Sequence, residues 1–292
     1  MKKAYIQYIL ALLLFGSNGI VAGAIALNSY EIVLLRTFFG SLFLAVIFKM
    51  TRRRLTFYQK KRDFLYLASS GAAMGASWML LYEAYQEIGV GVATLAYYCG
   101  PVIVMALSAA LFQERLTRRR ITGFFAVLLG MGLVNIQALH GGKSLWGLFC
   151  GGMAAVMYAC MVICNKKAQR ITGLENSFLQ LFVSFLTVAV FVLAKQGLGL
   201  RIASEDWLPI LILGFVNTGA GCYLYFSSIG RLPVQTVAVC GYLEPLSAVL
   251  LSAVFLDETC TAAQILGGGL MIGGAVFAQW QEKRNRNSSP PV

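Results

Sequence analysis

Charge is what this chain has least of. Asp, Glu, Lys and Arg make up 12% of its 292 residues against 58% hydrophobic ones, and the mean hydropathy is +0.72. A soluble domain carries about a quarter charged residues, so too little charge is present to keep a soluble surface wet. Histidine is nearly absent: His140 stands alone and cannot complete a metal set with Cys160 and Cys164, which lie four apart on one helix face. The seven cysteines are odd in number and show no framework spacing, which excludes a disulfide scaffold and leaves small buried hydrophobes as their main use. No phosphate-cradling loop occurs. Gly267-Gly268-Gly269 lies in an apolar run without a following Lys-Thr pair, so nucleotide hydrolysis has nothing to work with. With no paired Asp and no Cys/His motif, the expectation is no enzyme, no metal and no cofactor.

What is present is a series of apolar stretches about 20 residues long, the length that crosses a bilayer. They fall near 4–27, 30–50, 64–87, 91–112 and 119–137, then near 144–168, 174–195, 207–229, 234–256 and 260–280. Turn-like breaks separate them, such as Asn28-Ser29, Gly89-Val90-Gly91, Thr172-Gly173 and Leu232-Pro233. The net charge of +12 excludes a nucleic-acid partner on pattern, because the basic residues form short clusters between apolar runs and not a stripe with aromatics. With the N-terminus inside, 20 Lys and Arg fall in inner segments and three in outer ones, Lys143, Lys195 and Arg201. That asymmetry puts both termini in the cytoplasm. Lys2-Lys3, an apolar run and Ala22-Gly23-Ala24 imitate a cleavable signal. Cleavage would remove the counterpart of the sixth span, so the first span is expected to stay.

That counterpart exists because the chain repeats itself. Gly100–Thr117 and Glu244–Thr261 align 144 positions apart, with Pro101 on Pro245, Leu107-Ser108-Ala109 on Leu251-Ser252-Ala253, Glu114 on Glu258 and Thr117 on Thr261. Internal repetition is an architectural signal. Five spans per copy is an odd number, so the copies must be inverted in the membrane, with Glu114 at the inner end of its span and Glu258 at the outer end. The expected fold is an all-α integral membrane protein of ten transmembrane helices in two inverted five-helix repeats, with both termini cytoplasmic. The repeats cover 1–140 and 141–282, and 283–292 is a polar, disordered tail.

Gly16-Ser17-Asn18, Leu35-Arg36-Thr37-Phe38, Gly100-Pro101 with Gln113-Glu114-Arg115-Leu116, and Leu243-Glu244-Pro245 with Asp257-Glu258 carry a resemblance over nearly the whole chain. Together with the ten spans, they resemble the drug/metabolite transporter superfamily and, more closely, its EamA-type branch. One departure is visible: Phe15 stands where the family often has Trp before the Gly-Ser pair. The resemblance implies a secondary transporter of amino acids, other metabolites or amphipathic organic molecules, often an exporter, that uses no ATP. It implies the cytoplasmic membrane as the location, multi-pass. The partners are a small-molecule solute, the lipid bilayer and, as a further reading, protons as the coupling ion. The protein would be a monomer or a homodimer.

Within the spans, Glu244 is the sharpest candidate. It falls near mid-span, where an ionised carboxylate costs at least about 2.5 kcal/mol, so it must face a wet cavity, pair with a cation or be protonated. It would couple protons or hold a substrate amine; the bland alternative is a structural partner for Arg36 or a Tyr. Arg36 could neutralise it, hold a substrate carboxylate as a planar fork, or snorkel outward. Tyr98, Tyr158 and Tyr242 lie nearer span centres than other tyrosines and read equally as cavity walls or packing. Glu83 with Tyr82 would make an outer cavity acidic if both point inward, or would sit solvated at the interface. Tyr82 aligns with Tyr223 through the shared Ile-Gly at 88–89 and 229–230. Asn18 and Asn217 read first as helix–helix hydrogen bonds and second as ligand contacts. Trp78 reads as packing. A non-transporting membrane protein such as a lipid scramblase or an assembly factor would use the same helices and remains the alternative.

Overall fold

The computed structural model describes residues 2–52, 55–112, 117–134, 144–197, 199–255 and 262–287. Among the described residues every regular element is a helix. In chain order these are α1 (Lys2–Gly16), α2 (Asn18–Gly23), α3 (Ser29–Met50), α4 (Lys61–Tyr97), α5 (Gly100–Phe112) and α6 (Arg118–Val134), then α7 (Leu145–Lys167) and α8 (Leu174–Lys195). Next come α9 (Trp207–Leu211), a π-helical segment (Ile212–Ala220) and α10 (Gly221–Ile229), followed by α11 (Val234–Gly241), α12 (Leu243–Phe255) and α13 (Ala262–Asn287). Six stretches are long and apolar enough to cross a membrane: Lys2–Gly23, Ser29–Met50, Lys61–Gly89, Leu145–Lys167, Leu174–Lys195 and Ser204–Ile229. The chain is thus a multi-pass membrane protein. Glu114, Arg115, His140, Asp257, Glu258 and Cys260 lie outside the described residues. The last helix runs to Asn287, past residue 283, where the polar tail is expected to begin.

Local chemistry explains where the long helices start. Asn28 caps α3: its side chain accepts from the Glu31 amide at 3.0 Å, and the Glu31 carboxylate accepts from the Asn28 amide at 3.2 Å, a reciprocal capping box. Ser144 accepts from the Gly147 amide at 3.3 Å to open α7, and Lys166 and Lys167 close it, matching the helix dipole.

The stretches at 91–112 and 234–256, expected as continuous spans, are each broken. In the first, Tyr98 and Cys99 separate the end of α4 from α5; in the second, Tyr242 separates α11 from α12. The physical reason is the same in both. Pro101 and Pro245 have no N–H for the carbonyl four residues back, and their rings crowd it. A third break falls in α4 at Gly89, whose φ of 78° is open to glycine and rarely to other residues. A fourth separates α1 from α2 at Ser17.

The halves pack reciprocally. α1 lies on α10 and α12, while α4 and α5 lie on α7. α3 packs on α8 and on the π-helical segment, and α4 packs on α8. α5 meets α11, and α6 meets α13 at the side of the bundle. Matching the elements by the 144-residue offset, each contact between halves has its mate with the halves exchanged. Gly16 allows one of the close crossings: a Cβ there would stand 2.9 Å from the Glu244 carbonyl oxygen and would overlap the Ser247 side chain.

Polar ties join the halves at both ends: at one, the Ala26 amide donates to Asp206 at 3.0 Å and the Ser144 hydroxyl to Glu87 at 2.8 Å, and the other carries a second set. Glu175 accepts from the amides of Thr56 and Phe57 at 2.5 and 2.9 Å. Asp63 accepts from the Arg170 amide at 2.9 Å, and Lys60 donates to the Arg170 carbonyl at 2.6 Å. Deeper in, Asn165 donates to Asn176 and Gln180, both at 3.0 Å, and Gln180 donates to the Ser70 hydroxyl at 2.5 Å. The Asn176 and Gln180 amides are thereby satisfied from their neighbours, while the Asn165 side-chain oxygen keeps no partner.

Candidate functional site

A cavity of about 800 Å³ occupies the middle of the bundle. Both halves build it: α1 to α4 line one side, and α7, α10 and α12 with Thr218 of the π-helical segment line the other. Its exposed lining residues, Gly19, Gly23 and Gln86, lie where α2 ends and α4 approaches Gly89. It stops short of the opposite end, where Tyr8 is fully buried, donates to the Val237 carbonyl at 2.8 Å and packs its ring 5.5 Å from that of Tyr225.

α3 brings Arg36 in. Ser29, Ile32 and Arg36 follow a helical stripe along the cavity wall, and Arg36 is only 6% exposed. Its guanidinium carbon stands 4.2 Å from the centroid of the Trp78 ring. Its Nε is buried without a hydrogen-bond partner. An aromatic face can hold a cation and leaves the donors at its edge free, so the fork is positioned and only partly spent. On the facing wall, the break before α12 places Glu244 in the lining, followed by Pro245. Among the described residues no ion pair joins Arg36 to Glu244, and the Glu244 carboxylate accepts no hydrogen bond. The structural pairing weighed as the alternative for these two is therefore not made, and both side chains line the cavity.

Two more lining residues keep a buried polar atom unpartnered, the Asn18 side-chain oxygen and the Tyr225 hydroxyl. Buried polar atoms in a native fold are nearly always paired. Of the seven such orphans among the described residues, three stand around this one open volume, where water or a solute can reach them.

Of the residues singled out in the sequence, Glu244, Arg36, Tyr98, Tyr158, Asn18 and Tyr82 line this one cavity. The other four lie outside the lining. Tyr242 is 1% exposed and donates its hydroxyl to the Tyr98 carbonyl at 2.8 Å. Asn217 donates to the Leu14 carbonyl at 3.0 Å and the Ser17 hydroxyl at 2.8 Å, which satisfies the backbone freed by the break between α1 and α2. That is the helix–helix reading of its amide. Glu83 is 8% exposed; it pairs with Lys195 at 2.8 Å and accepts from the Tyr30 hydroxyl. It is neither solvated at an interface nor in the cavity, because Lys195 from the end of α8 neutralises it first. Tyr223 is 37% exposed on the outer surface of α10, so its repeat mate Tyr82 alone reaches the interior.

Several lining residues were not picked out as such from the sequence: Trp78, Tyr85, Gln86, Tyr97 and Tyr225. A signal for some was there. Met74, Trp78, Tyr82 and Tyr85 recur at helical spacing on α4, a stripe of large amphipathic rings that a lipid-facing surface would not need. Tyr97 lies at the end of α4 and reads as interfacial until the breaks at Gly89 and Tyr98 are seen to turn that segment inward.

An apolar helical bundle that holds a charged, open cavity where broken helices meet has the build of a membrane transporter. The model of the EamA-like transporter family matches residues 2–136 and again 145–279, and the chain belongs to that family. It is 25% identical over 94% of its length, and 88% of the relative's, to the uncharacterized transporter YxxF of Bacillus subtilis. It is 27% identical to the threonine/homoserine exporter RhtA of Escherichia coli K12, over 83% of this chain and 79% of the exporter. A solved crystal structure of a protein superposes with a TM-score of 0.80 at 18% identity, covering 94% of this chain and 98% of that one. At that identity the likeness speaks for the fold alone.

Proposed function

We propose that the protein is a secondary transporter that moves a small zwitterionic solute across the cytoplasmic membrane by alternating access. The observation that carries this reading is the central cavity with two unpaired opposite charges, Arg36 and Glu244, on walls from different halves. A guanidinium seated on Trp78 suits a carboxylate, which it can grip with two parallel bonds. Glu244 suits an ammonium group, and the tyrosine rings between them suit an apolar or hydroxylated stem. The relative named for threonine and homoserine export supports a solute of amino-acid type and the outward direction.

In this reading the α5, α6, α11–α12 and α13 segments complete ten spans, and the excess of Lys and Arg places both termini inside. The halves are then inverted copies, and the cavity opens outward in the conformation seen here. A rocking motion of one half against the other would close the end near Gln86 and open the end at Tyr8. Glu244 would have to exchange its partner, solute or proton, once per cycle. Such a scheme needs no cofactor.

The test is uptake and counterflow in proteoliposomes, after a thermal-shift screen of the purified protein against amino acids and amines. An amino acid should raise the melting temperature and exchange across the vesicle membrane. Glu244→Gln should keep the fold and cut exchange by tenfold or more, since an ion pair to the ammonium becomes a neutral contact, worth about 1.5 kcal/mol less. Unchanged exchange in Glu244→Gln would remove the carboxylate from the mechanism. Solute-independent lipid mixing, with no solute exchange, would replace transport by scrambling.

A further inference from the structure

Tyr98 and Tyr242 are 144 positions apart, the same offset that carries Pro101 onto Pro245. They are therefore the same residue of the two repeats, each at the break that its proline imposes. They touch. The rings lie 5.9 Å apart, and the Tyr242 hydroxyl donates to the Tyr98 carbonyl at 2.8 Å. The bond runs one way. The Tyr98 hydroxyl makes no hydrogen bond to a described residue, and Tyr98 lines the cavity, while Tyr242 is sealed in packing against Phe124. Two equivalent residues in two different environments are what one state of a two-fold repeat must show when its cavity opens at one end only.

We infer that Tyr98 and Tyr242 are a reciprocal positioning pair: the bond from Tyr242 to the Tyr98 carbonyl holds this access state, and the mirrored bond holds the opposite one. The inference rests on the alternating-access reading. If the halves exchange conformations, Tyr242 turns into the cavity and Tyr98 donates to the Tyr242 carbonyl. A carbonyl oxygen has two lone pairs, so it can accept this bond whatever its backbone partner. Each state then keeps one tyrosine bond and exposes one tyrosine hydroxyl to solute, so the switch between states carries no net loss of hydrogen bonding at the crossing of the broken helices.

Because the bonds belong to different states, removing them should bias the protein in opposite directions. The same repeat supplies the probes. Gln86 is exposed at the cavity mouth, and Ser227, its mate by the alignment of Ile88-Gly89 with Ile229-Gly230, is buried at the other end. In the full chain with its native cysteines replaced, Gln86→Cys and Ser227→Cys are labelled from outside and inside with an impermeant maleimide. Tyr242→Phe should lower Gln86→Cys labelling and raise that at Ser227→Cys; Tyr98→Phe should do the reverse. Loss of one neutral hydrogen bond predicts a change in the labelling ratio of about threefold to tenfold. The double variant should return near the parent. If Tyr242→Phe does not fold, Tyr98→Phe alone must still raise the ratio of Gln86→Cys to Ser227→Cys labelling.

Both single variants moving the ratio the same way, or neither moving it, overturns the pair while two-sided labelling of the parent keeps alternating access intact. If Ser227→Cys is never labelled from inside, with or without an amino acid, alternating access fails and takes the pair with it.

Discussion

Arg36 shows how little a charged residue's chemistry can be judged without its neighbours. In sequence it could snorkel, pair with Glu244 or bind a solute. In the structure it is buried on the face of Trp78, 4.2 Å from the ring centroid, with Nε unpartnered. The ring is what keeps the fork in place and free. A desolvated cation–π contact is worth about 2 kcal/mol, so Trp78→Leu should raise the solute concentration for half-maximal exchange by about tenfold or more, with little change in maximal rate. Trp78→Phe, which keeps a weaker face, should fall between. Half-saturation equal to the parent's in Trp78→Leu would mean that Arg36 is held by something else. Arg36→Lys should not rescue, because an ammonium point charge lacks the planar fork.

At the scale of the helix, the molecule is organised by interruptions. Pro101 and Pro245 break the paired segments, and Gly89 and Ser17 break two more. Two of the four breaks are repaired from a neighbouring helix: Tyr242 serves the Tyr98 carbonyl, and Asn217 serves Leu14. The crossing of α1 over α12 depends on Gly16, since a Cβ there would lie 2.9 Å from the Glu244 carbonyl and overlap Ser247. Overpacking of this kind costs about 1–3 kcal/mol, and here it also pushes Glu244 away from its place in the cavity wall. Gly16→Ala should lower the melting temperature in detergent and weaken solute binding together. Adding Ser247→Gly should recover part of the loss, because the side-chain obstacle goes and the backbone ones, the Glu244 carbonyl and the Ala248 amide, stay. A Gly16→Ala variant that melts with the parent would show that the two helices can move apart.

At the scale of the whole molecule, the reciprocal contacts between halves describe a duplicated bundle whose cavity reaches one end. The other end is closed by Tyr8 on Val237 and tied by Glu175, Asp63 and Lys60. In the proposed reading the excess of Lys and Arg puts that tied end inside. A cysteine at Tyr58, which is exposed in the loop after α3, should then react with an impermeant maleimide only after cells are permeabilised. A cysteine at Gly199, between α8 and α9, should react on intact cells. The reverse pattern would turn the molecule over and make the present conformation inward-facing.

Hydropathy, loop charge and the 144-residue repeat determine class and general plan, because the bilayer imposes length, composition and side on every apolar segment. Glu244 was legible for the same reason: a carboxylate in an apolar run has no cheap structural use. The position of Trp78 under Arg36, the capture of Glu83 by Lys195 and the withdrawal of Asn217 and Tyr242 to repair broken helices were not. Those depend on which helix lies beside which, and on the turn each one makes at its break. Periodicity tells which residues share a face; only packing decides what that face meets.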